Sequence, residues 1–279
     1  MSDSPDSDAP VSTETDARRD VVVVGGGVAG LTAALFTARA GLDTLVCNDG
    51  ESILRRNAHL ENVPGFPAGL DPRLFADMME AQATRNGVDL VEARVTDIEH
   101  RDGTDTGDTN TRFVVSTADG DTRTTDYVVA ASWSDADYLD SLGVDIRDAG
   151  SKRFVEEDGL GRTNVDGLYV AGRLAERYHQ AVVAAGNGAE VGITLVHDSE
   201  TPFYHDWVVP EGYFTDRDRE VPPGCEEIDA TEQAARQAES RAVMQGYFSE
   251  EHDARQRTHP SLVDDDLGRV EKADWESFD

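Results

Sequence analysis

The sequence predicts an α/β fold, a parallel β-sheet covered by helices, and three observations carry that prediction. Residues 21–24 read VVVV, a β-branched run suited to a strand buried on both faces. A glycine-rich turn and a helix-like segment of small and apolar residues follow it, and TLVC at 44–47 makes a second strand. Far downstream, LYV at 168–170 runs into Ala171-Gly172 and then into the small-residue helix pattern AVVAAGNGAEVG. Strand exits that lead into helix starts are where such sheets hold ligands.

The elements between these landmarks follow in order. Residues 1–18 are polar and acidic, the composition of a disordered tail. The first helix reads LTAALFTARAG and ends at Gly41, and 51–70 is turn-rich. Residues 71–86 are an amphipathic helix with Leu74, Phe75, Met78, Met79 and Ala83 on one face, Asp71 as cap and Pro72 in the first turn. Strand-like runs at 88–100, 112–118 and 125–131, with a polar turn at 103–111, predict a small antiparallel crossover sheet, whereas 133–160 is poorly patterned. These elements delimit a nucleotide-binding domain over 19–199 and a C-terminal extension over 200–279. The extension opens with Phe203, Tyr204, Trp207, Tyr213 and Phe214, too apolar for a free tail, so it is expected to pack on the domain or at a dimer contact. Residues 229–250 form a helix opened by a capping box of Asp229 and Glu232.

Composition narrows the setting. The 279 residues hold 56 acidic side chains against 25 Lys plus Arg, a net charge of −31, and the only lysines are Lys152 and Lys272. Self-repulsion on that scale destabilises a compact chain. In molar salt the Debye length falls to about 3 Å and the repulsion is largely screened. A carboxylate surface poor in lysine therefore resembles proteins of haloarchaea; the alternative is an acidic protein of ordinary cytoplasm. Nucleic acid is a poor partner for such a surface. Cys47 and Cys225 form neither a disulfide framework nor a CxxC pair. No apolar run approaches the roughly 20 residues of a membrane span, and the amino-terminus lacks a signal-peptide core. A cytoplasmic protein without a membrane partner is expected. His205, Cys225, His252 and His259 have no metal-ligand spacing, so no metal site is expected.

Gly25, Gly27 and Gly30 form a GxGxxG motif set between the first strand and the first helix. Gly25 permits the tight turn, Gly27 close approach of a diphosphate, and Gly30 helix-to-strand packing, while the helix start offers N–H groups and a positive dipole end. The context is that of a Rossmann-like dinucleotide domain; the alternative is a glycine turn kept for packing alone. An acidic residue at the end of the second strand normally binds the adenosine ribose. Asp49, nineteen residues after Gly30, is the candidate, with Asn48 beside it and Glu51 next.

Three segments in order, GGGVAGLTAA, HLENVPGFPAGLDPRLFADMMEAQATRNGV and RTNVDGLYVAGR…YHQAVVAAGNGAEVG, make the sequence similar to the thioredoxin reductase family of flavoproteins. The resemblance implies FAD as the dinucleotide and a Rossmann-like FAD-binding domain plus the C-terminal extension. It adds Val28 and Ala29 to the diphosphate loop, and places Val95 near the adenine and Asn62 near the flavin. Gly172, Gln180, Ala181 and Val182 fall around the ribityl chain and the pyrimidine edge. A helix starting near Gln180 would aim its positive end at N1/O2, where a reduced flavin carries negative charge.

Three departures from the family stand out. The YVVAASW strand at 127–133 lies only about thirty residues before RTNVDGLYVAG, too few for the family's second nucleotide domain, and the dithiol is missing too. Arg173 replaces an Asp that accepts a ribityl hydroxyl; its guanidinium is expected to reach a phosphate or to pair with a carboxylate. Ser132-Trp133 replaces Thr-Gly, and Trp133 is expected to stack on the cofactor, cap a hole or fill core. The Arg55-Arg56 pair is a further phosphate candidate, and His59 and His179 are candidates for moving a proton. No catalytic acid, base or nucleophile is assigned. The resemblance implies an FAD-dependent oxidoreductase served by an external electron donor or acceptor, protein or small molecule. Family members are commonly dimeric, though no residue pattern here demands it. Two rivals remain: a non-catalytic scaffold with a bound FAD or an empty cleft, and an NAD(H)-binding enzyme that leaves the late motif unexplained.

Overall fold

A computed structural model describes residues 17–101, 112–150, 152–203 and 205–253. The polar turn expected at 103–111, Tyr204, His259 and most of the expected amino-terminal tail lie outside these residues. The all-valine run sits in β1 (Ala17–Val24), which is flanked in parallel by β2 (Thr44–Asn48) and β6 (Thr122–Ala130). Beyond β2 lies β3 (Asp89–Glu92), and β9 (Leu168–Val170) pairs in parallel with the end of β6. The other end of β6 pairs antiparallel with β5 (Phe113–Thr117), which pairs in turn with β4 (Val95–His100). Strand β6 is thus shared: residues 122–125 carry the antiparallel crossover, and 128–130 lead into the parallel sheet where β9 joins. The fold is the expected α/β arrangement.

Alternation along β1 shows why its residues are uniformly apolar. Val22 and Val24 face a core with Leu45, Ile98, Phe113 and Leu174, while Val21 and Val23 face one with Ala33, Ala34, Val46 and Leu195. Both faces are dry, as parallel sheets require. The second core belongs to α1 (Val28–Arg39) and α3 (Ala181–Asp198), which cross with almost no side chain between them. A Cβ on Gly188 would stand 2.2 Å from Ala29 O, and one on Gly192 2.8 Å from Ala33 O, whereas Gly186 faces open space. Gly186→Ala is therefore expected to stabilise the protein by about 0.5–1 kcal/mol through helix propensity. Gly188→Ala is expected to cost about 1–3 kcal/mol through overpacking. Equal urea midpoints for the two variants would refute this account of the helix contact.

Three boundaries differ from the sequence expectation. Residues 17 and 18, assigned to the tail, belong to β1, where they pair with Arg123 and Thr124. The run 88–100 is two strands on opposite edges of the sheet. Ala93 N–H still donates to Asn48 O (3.0 Å), but Arg94 O already accepts from Ala118 N–H (2.9 Å), so the chain changes partners at that bond. Uninterrupted strand patterning conceals such a switch. The poorly patterned stretch holds a 3-10 turn at Asp137–Leu142 and an antiparallel hairpin of β7 (Ile146–Ala149) and β8 (Lys152–Val155). It buries Tyr138, Leu139, Leu142 and Phe154.

The amphipathic helix is α2 (Pro72–Arg85), and Asp71 caps it by accepting from the N–H groups of Arg73 and Leu74. In the extension, β10 (Trp207–Pro210) pairs in parallel with β11 (Cys225–Ile228), and α4 (Ala230–Tyr247) starts where Asp229 accepts from Glu232 N–H. Glu227 organises the turn between the strands. Partial burial opposes its charge, yet donation from Phe214, Thr215 and Gly212 holds its carboxyl down at about 2. The extension meets the domain through the Arg39–Asp206 and Arg85–Glu239 ion pairs, a Phe66–Phe248 ring contact at 6.3 Å, and His252 with Asp77 at 2.6 Å. No described residue of α4 is buried, and among the described residues no helix is long and apolar enough to cross a membrane.

Candidate functional site

Where β1, β2, β6 and β9 end, α1 and α3 begin, and a cleft of about 690 Å³ opens between the two helix starts. That volume lies within the range of small-molecule and cofactor sites. Gly27, Val28 and Ala29 line one part of it, Gln180, Ala181 and Ala184 another. Neither helix has a side-chain cap. The first N–H groups of each helix have no intrahelical acceptor, so both helices present donors and positive dipole ends to the cleft.

The glycine loop is built by close contacts. Gly25 stands at φ 109°, and a Cβ there would meet Ala131 O at 2.5 Å; a Cβ on Gly30 would meet Gly25 O at 2.0 Å. Gly27 faces the cleft, with only Ser52 Oγ near at 3.8 Å. Gly25 N–H donates to Cys47 O (2.8 Å), and Gly26 N–H to Asn48 Oδ1 (2.9 Å). The donors left for a diphosphate are those of the α1 start. Asn48, expected at the ribose, is engaged with the loop, since its Nδ2 also donates to Gly50 O (2.8 Å). Asp49 is exposed on the cleft wall, 3.8 Å from Arg94. Val95 is buried there beside Ala93 and Arg94.

At the α3 end, Asn62 Nδ2 donates to Gln180 Oε1 at 2.6 Å, joining two residues 118 positions apart. Gly172, at φ 72°, has room for no side chain because Ala29 Cβ would lie 2.8 Å away. Its N–H donates to the buried Asn187 Oδ1 (2.7 Å). Gly30 serves packing, as expected, and does not line the cleft. Asn62 stays off the wall and reaches it only through Gln180, and Val182 is 44 % exposed and off the wall as well. The 100° step of the helix turns Val182 outward while Ala181 and Ala184 face in.

Arg173 lines the cleft, and its guanidinium lies 4.9 Å over the Phe154 ring, whose neighbourhood Arg147 shares at 5.3 Å. It donates to Arg177 O (3.4 Å), and no ion pair among the described residues includes it. The arginine pair divides: Arg56 lines the cleft, whereas Arg55 is held by Asp77 and Glu80. His179 lines the cleft; His59 instead lies against Ala68 O at 3.1 Å. Trp133 is on the wall and only partly buried, so it is not core filler. Ser52, Asn57, Arg94, Asp135, Tyr138 and Tyr178 also line the site and were not expected from sequence. They come from the crossover and the connecting segments, whose placement depends on long-range packing. Burial pushes the Tyr138 phenol well above its ordinary range, against the Ser132 hydroxyl bonded to it at 2.7 Å. Burial likewise raises the Cys47 thiol to about 11.

Residues present therefore fit a dinucleotide: two uncapped helix starts, a backbone cradle that excludes side chains, and an acid at the second strand's exit. Residues 60–188 match the family model described as pyridine nucleotide-disulphide oxidoreductase, and residues 20–55 the one described as FAD binding domain. The thioredoxin reductase of Streptomyces coelicolor is 42 % identical over 76 residues, which is 26 % of this chain and 24 % of the relative. That of Aquifex aeolicus is 40 % identical over 78 residues, 27 % of this chain and 24 % of the relative. The chain thus spans about a quarter of the length of the curated relatives it matches. Among solved structures, a thioredoxin reductase from Gloeobacter violaceus aligns with a TM-score of 0.56 at 17 % identity, covering 66 % of this chain and 96 % of that one. An oxidoreductase from Agrobacterium tumefaciens aligns at 0.58 and 16 % identity, covering 67 % and 100 %. At such identities the structures speak for the fold, and the family matches indicate FAD. Ordered motifs, family-model matches and shared fold together make the chain similar to the thioredoxin reductase-like FAD-binding proteins.

Proposed function

We propose that the chain holds FAD across the two helix starts and passes electrons between that flavin and an external partner. The observation that carries this reading is the convergence of the α1 and α3 amino-termini, from positions 28 and 181, on one cleft. The α1 N–H groups bind the diphosphate, Asp49 the adenosine ribose, and Gln180, held by Asn62, orients the flavin edge. Bound FAD supplies electron transfer at its isoalloxazine. The positive end of α3 favours the negative charge that reduction places on the ring.

An external partner is supported by what lies between β6 and β9. That interval, residues 131–167, carries a 3-10 turn and one two-stranded hairpin, and its length does not admit a second βαβ domain. The cysteines support it too. Cys47 is buried with its thiol held protonated, and Cys225 lies 178 positions away in β11. The aromatic side chain at Trp133 favours one rival, a flavin-bearing scaffold without turnover. The acid-rich surface fits a salt-rich cytoplasm.

Adding FAD at about a hundred times its Kd is expected to raise unfolding stability by about 2.7 kcal/mol. The check is a thermal melt in multimolar KCl with and without FAD, alongside yellow colour that bleaches with dithionite. A colourless folded protein with an unmoved melt overturns the cofactor assignment. Oxidation of reduced ferredoxin or NAD(P)H by the yellow protein separates the oxidoreductase from the scaffold.

A further inference from the structure

Trp133 occupies a backbone conformation that disfavours it. Its φ is 68°, in the left-handed region, and the other described non-glycine residues there are Glu176, Glu200 and Asp218. A bulky aromatic is a clear outlier in that region. The strain has no local outlet, because the chain is pinned on both sides. Ala131 N–H donates to Val24 O at 2.8 Å, Ala131 O leaves no room for a side chain on Gly25, and Ser132 Oγ donates to Asp135 O at 2.6 Å. Glycine would fit this turn without strain.

The side chain gains little from packing that would account for its presence. Trp133 belongs to none of the three buried clusters and stays partly exposed. Its ring stands on the cleft wall, 5.6 Å from the His179 ring and inclined to it at 50°. His179 directly precedes Gln180, the N-cap of α3, so the indole stands beside the α3 start. Strain that persists beside a ligand cleft points to a ligand that uses it. A large, planar, electron-rich surface at this end matches a large, planar, electron-poor ring.

We propose that Trp133 is the stacking surface for the isoalloxazine, a specificity residue that selects the flavin half of the dinucleotide. The inference rests on the FAD assignment above and extends it to a position where the family's glycine offers no side chain. The indole adds affinity for ligands that carry the tricyclic ring and none for the adenosine half. In contact with the ring it also quenches flavin emission.

Titration of the full chain in multimolar KCl with FAD and, separately, with ADP tests this, using Trp133→Leu, Trp133→Gly and Trp133→Phe. The wild-type complex is expected to be strongly quenched. The Leu and Gly variants are expected to emit severalfold more and to bind FAD about tenfold more weakly, with ADP affinity unchanged. Trp133→Phe, which keeps an aromatic face, is expected to fall between. Trp133→Gly also removes the backbone strain, so its melting temperature separates lost stacking from lost fold. FAD affinity and emission unchanged in the Leu and Gly variants overturn the inference alone. A parallel loss of ADP affinity overturns it too, since Trp133 would then support the cleft as a whole. Absence of FAD uptake by the wild-type protein overturns the cofactor assignment, and this inference with it.

Discussion

Gly30→Ala is expected to weaken FAD binding by at least a hundredfold and to destabilise the fold by about 3 kcal/mol. A Cβ at this position would lie 2.0 Å from Gly25 O, well inside van der Waals contact, and 3.3 Å from Ala131 Cβ. The obstructing atom is backbone, so no rotamer change relieves it. Either the α1 start or the Gly25 turn has to move. The turn is tied to β2 by the Gly25 N–H to Cys47 O bond and to Asn48 by the Gly26 N–H bond, and Ala131 presses on it from just past the end of β6. Displacing it turns the α1 N–H groups away from the diphosphate, for which affinity should fall by at least a hundredfold, about 2.7 kcal/mol. Urea unfolding measures the first effect and FAD titration the second. A variant that unfolds at the wild-type midpoint and binds FAD normally would show that the loop is not the tightly packed cradle described. Gly186→Ala, on the open face of α3, serves as the control for helix propensity.

The same loop shows how much of the molecule could be read from its residues. VVVVGGGVAG constrains its own neighbourhood: the valines demand two dry faces, and the glycines mark the points where backbone meets backbone. Strand, turn and helix follow from local chemistry, and so do the Asp71 and Asp229 caps. What could not be read depends on contacts between distant segments. Arg94 and Tyr138 enter the cleft because the crossover strands and the 3-10 turn fold back over the sheet, and no local pattern encodes that return. Arg173 offered two partners on chemical grounds, and the contact its guanidinium makes is with neither of them but with Phe154, nineteen residues earlier. The left-handed backbone at Trp133 is invisible in a sequence that spells a side chain where glycine fits. Asn48 shows the converse, a residue at the expected place whose amide serves the loop.

Raising KCl from about 0.1 M to about 2 M is expected to raise the melting temperature by on the order of 10 °C. The basic side chains are mostly committed: Arg19 to Asp43 and Asp89, Arg153 to Asp137 and Asp140, Arg162 to Asp158 and Asp198, and Arg236 to Glu226 and Glu232. Screening weakens such exposed pairs, each contributing about 0–1 kcal/mol at most, so salt acts in both directions. The excess decides the sign. Carboxylates outnumber Lys plus Arg by 31, and like charges about 10 Å apart in water repel by about 0.4 kcal/mol before screening. At about 0.1 M the Debye length equals that spacing, and at about 1 M it is about 3 Å, which removes most of the remaining repulsion. Summed over some tens of neighbouring pairs, and reduced because the unfolded chain keeps part of its repulsion, the gain is a few kcal/mol. For a chain of this size each kcal/mol moves the midpoint by about 2–4 °C. Calorimetry across a KCl series, run on apo protein so that FAD does not contribute, measures it. A midpoint that stays level or falls would show that the arginine pairs outweigh the acidic excess, and would remove the physical ground for assigning this surface to a salt-rich cytoplasm.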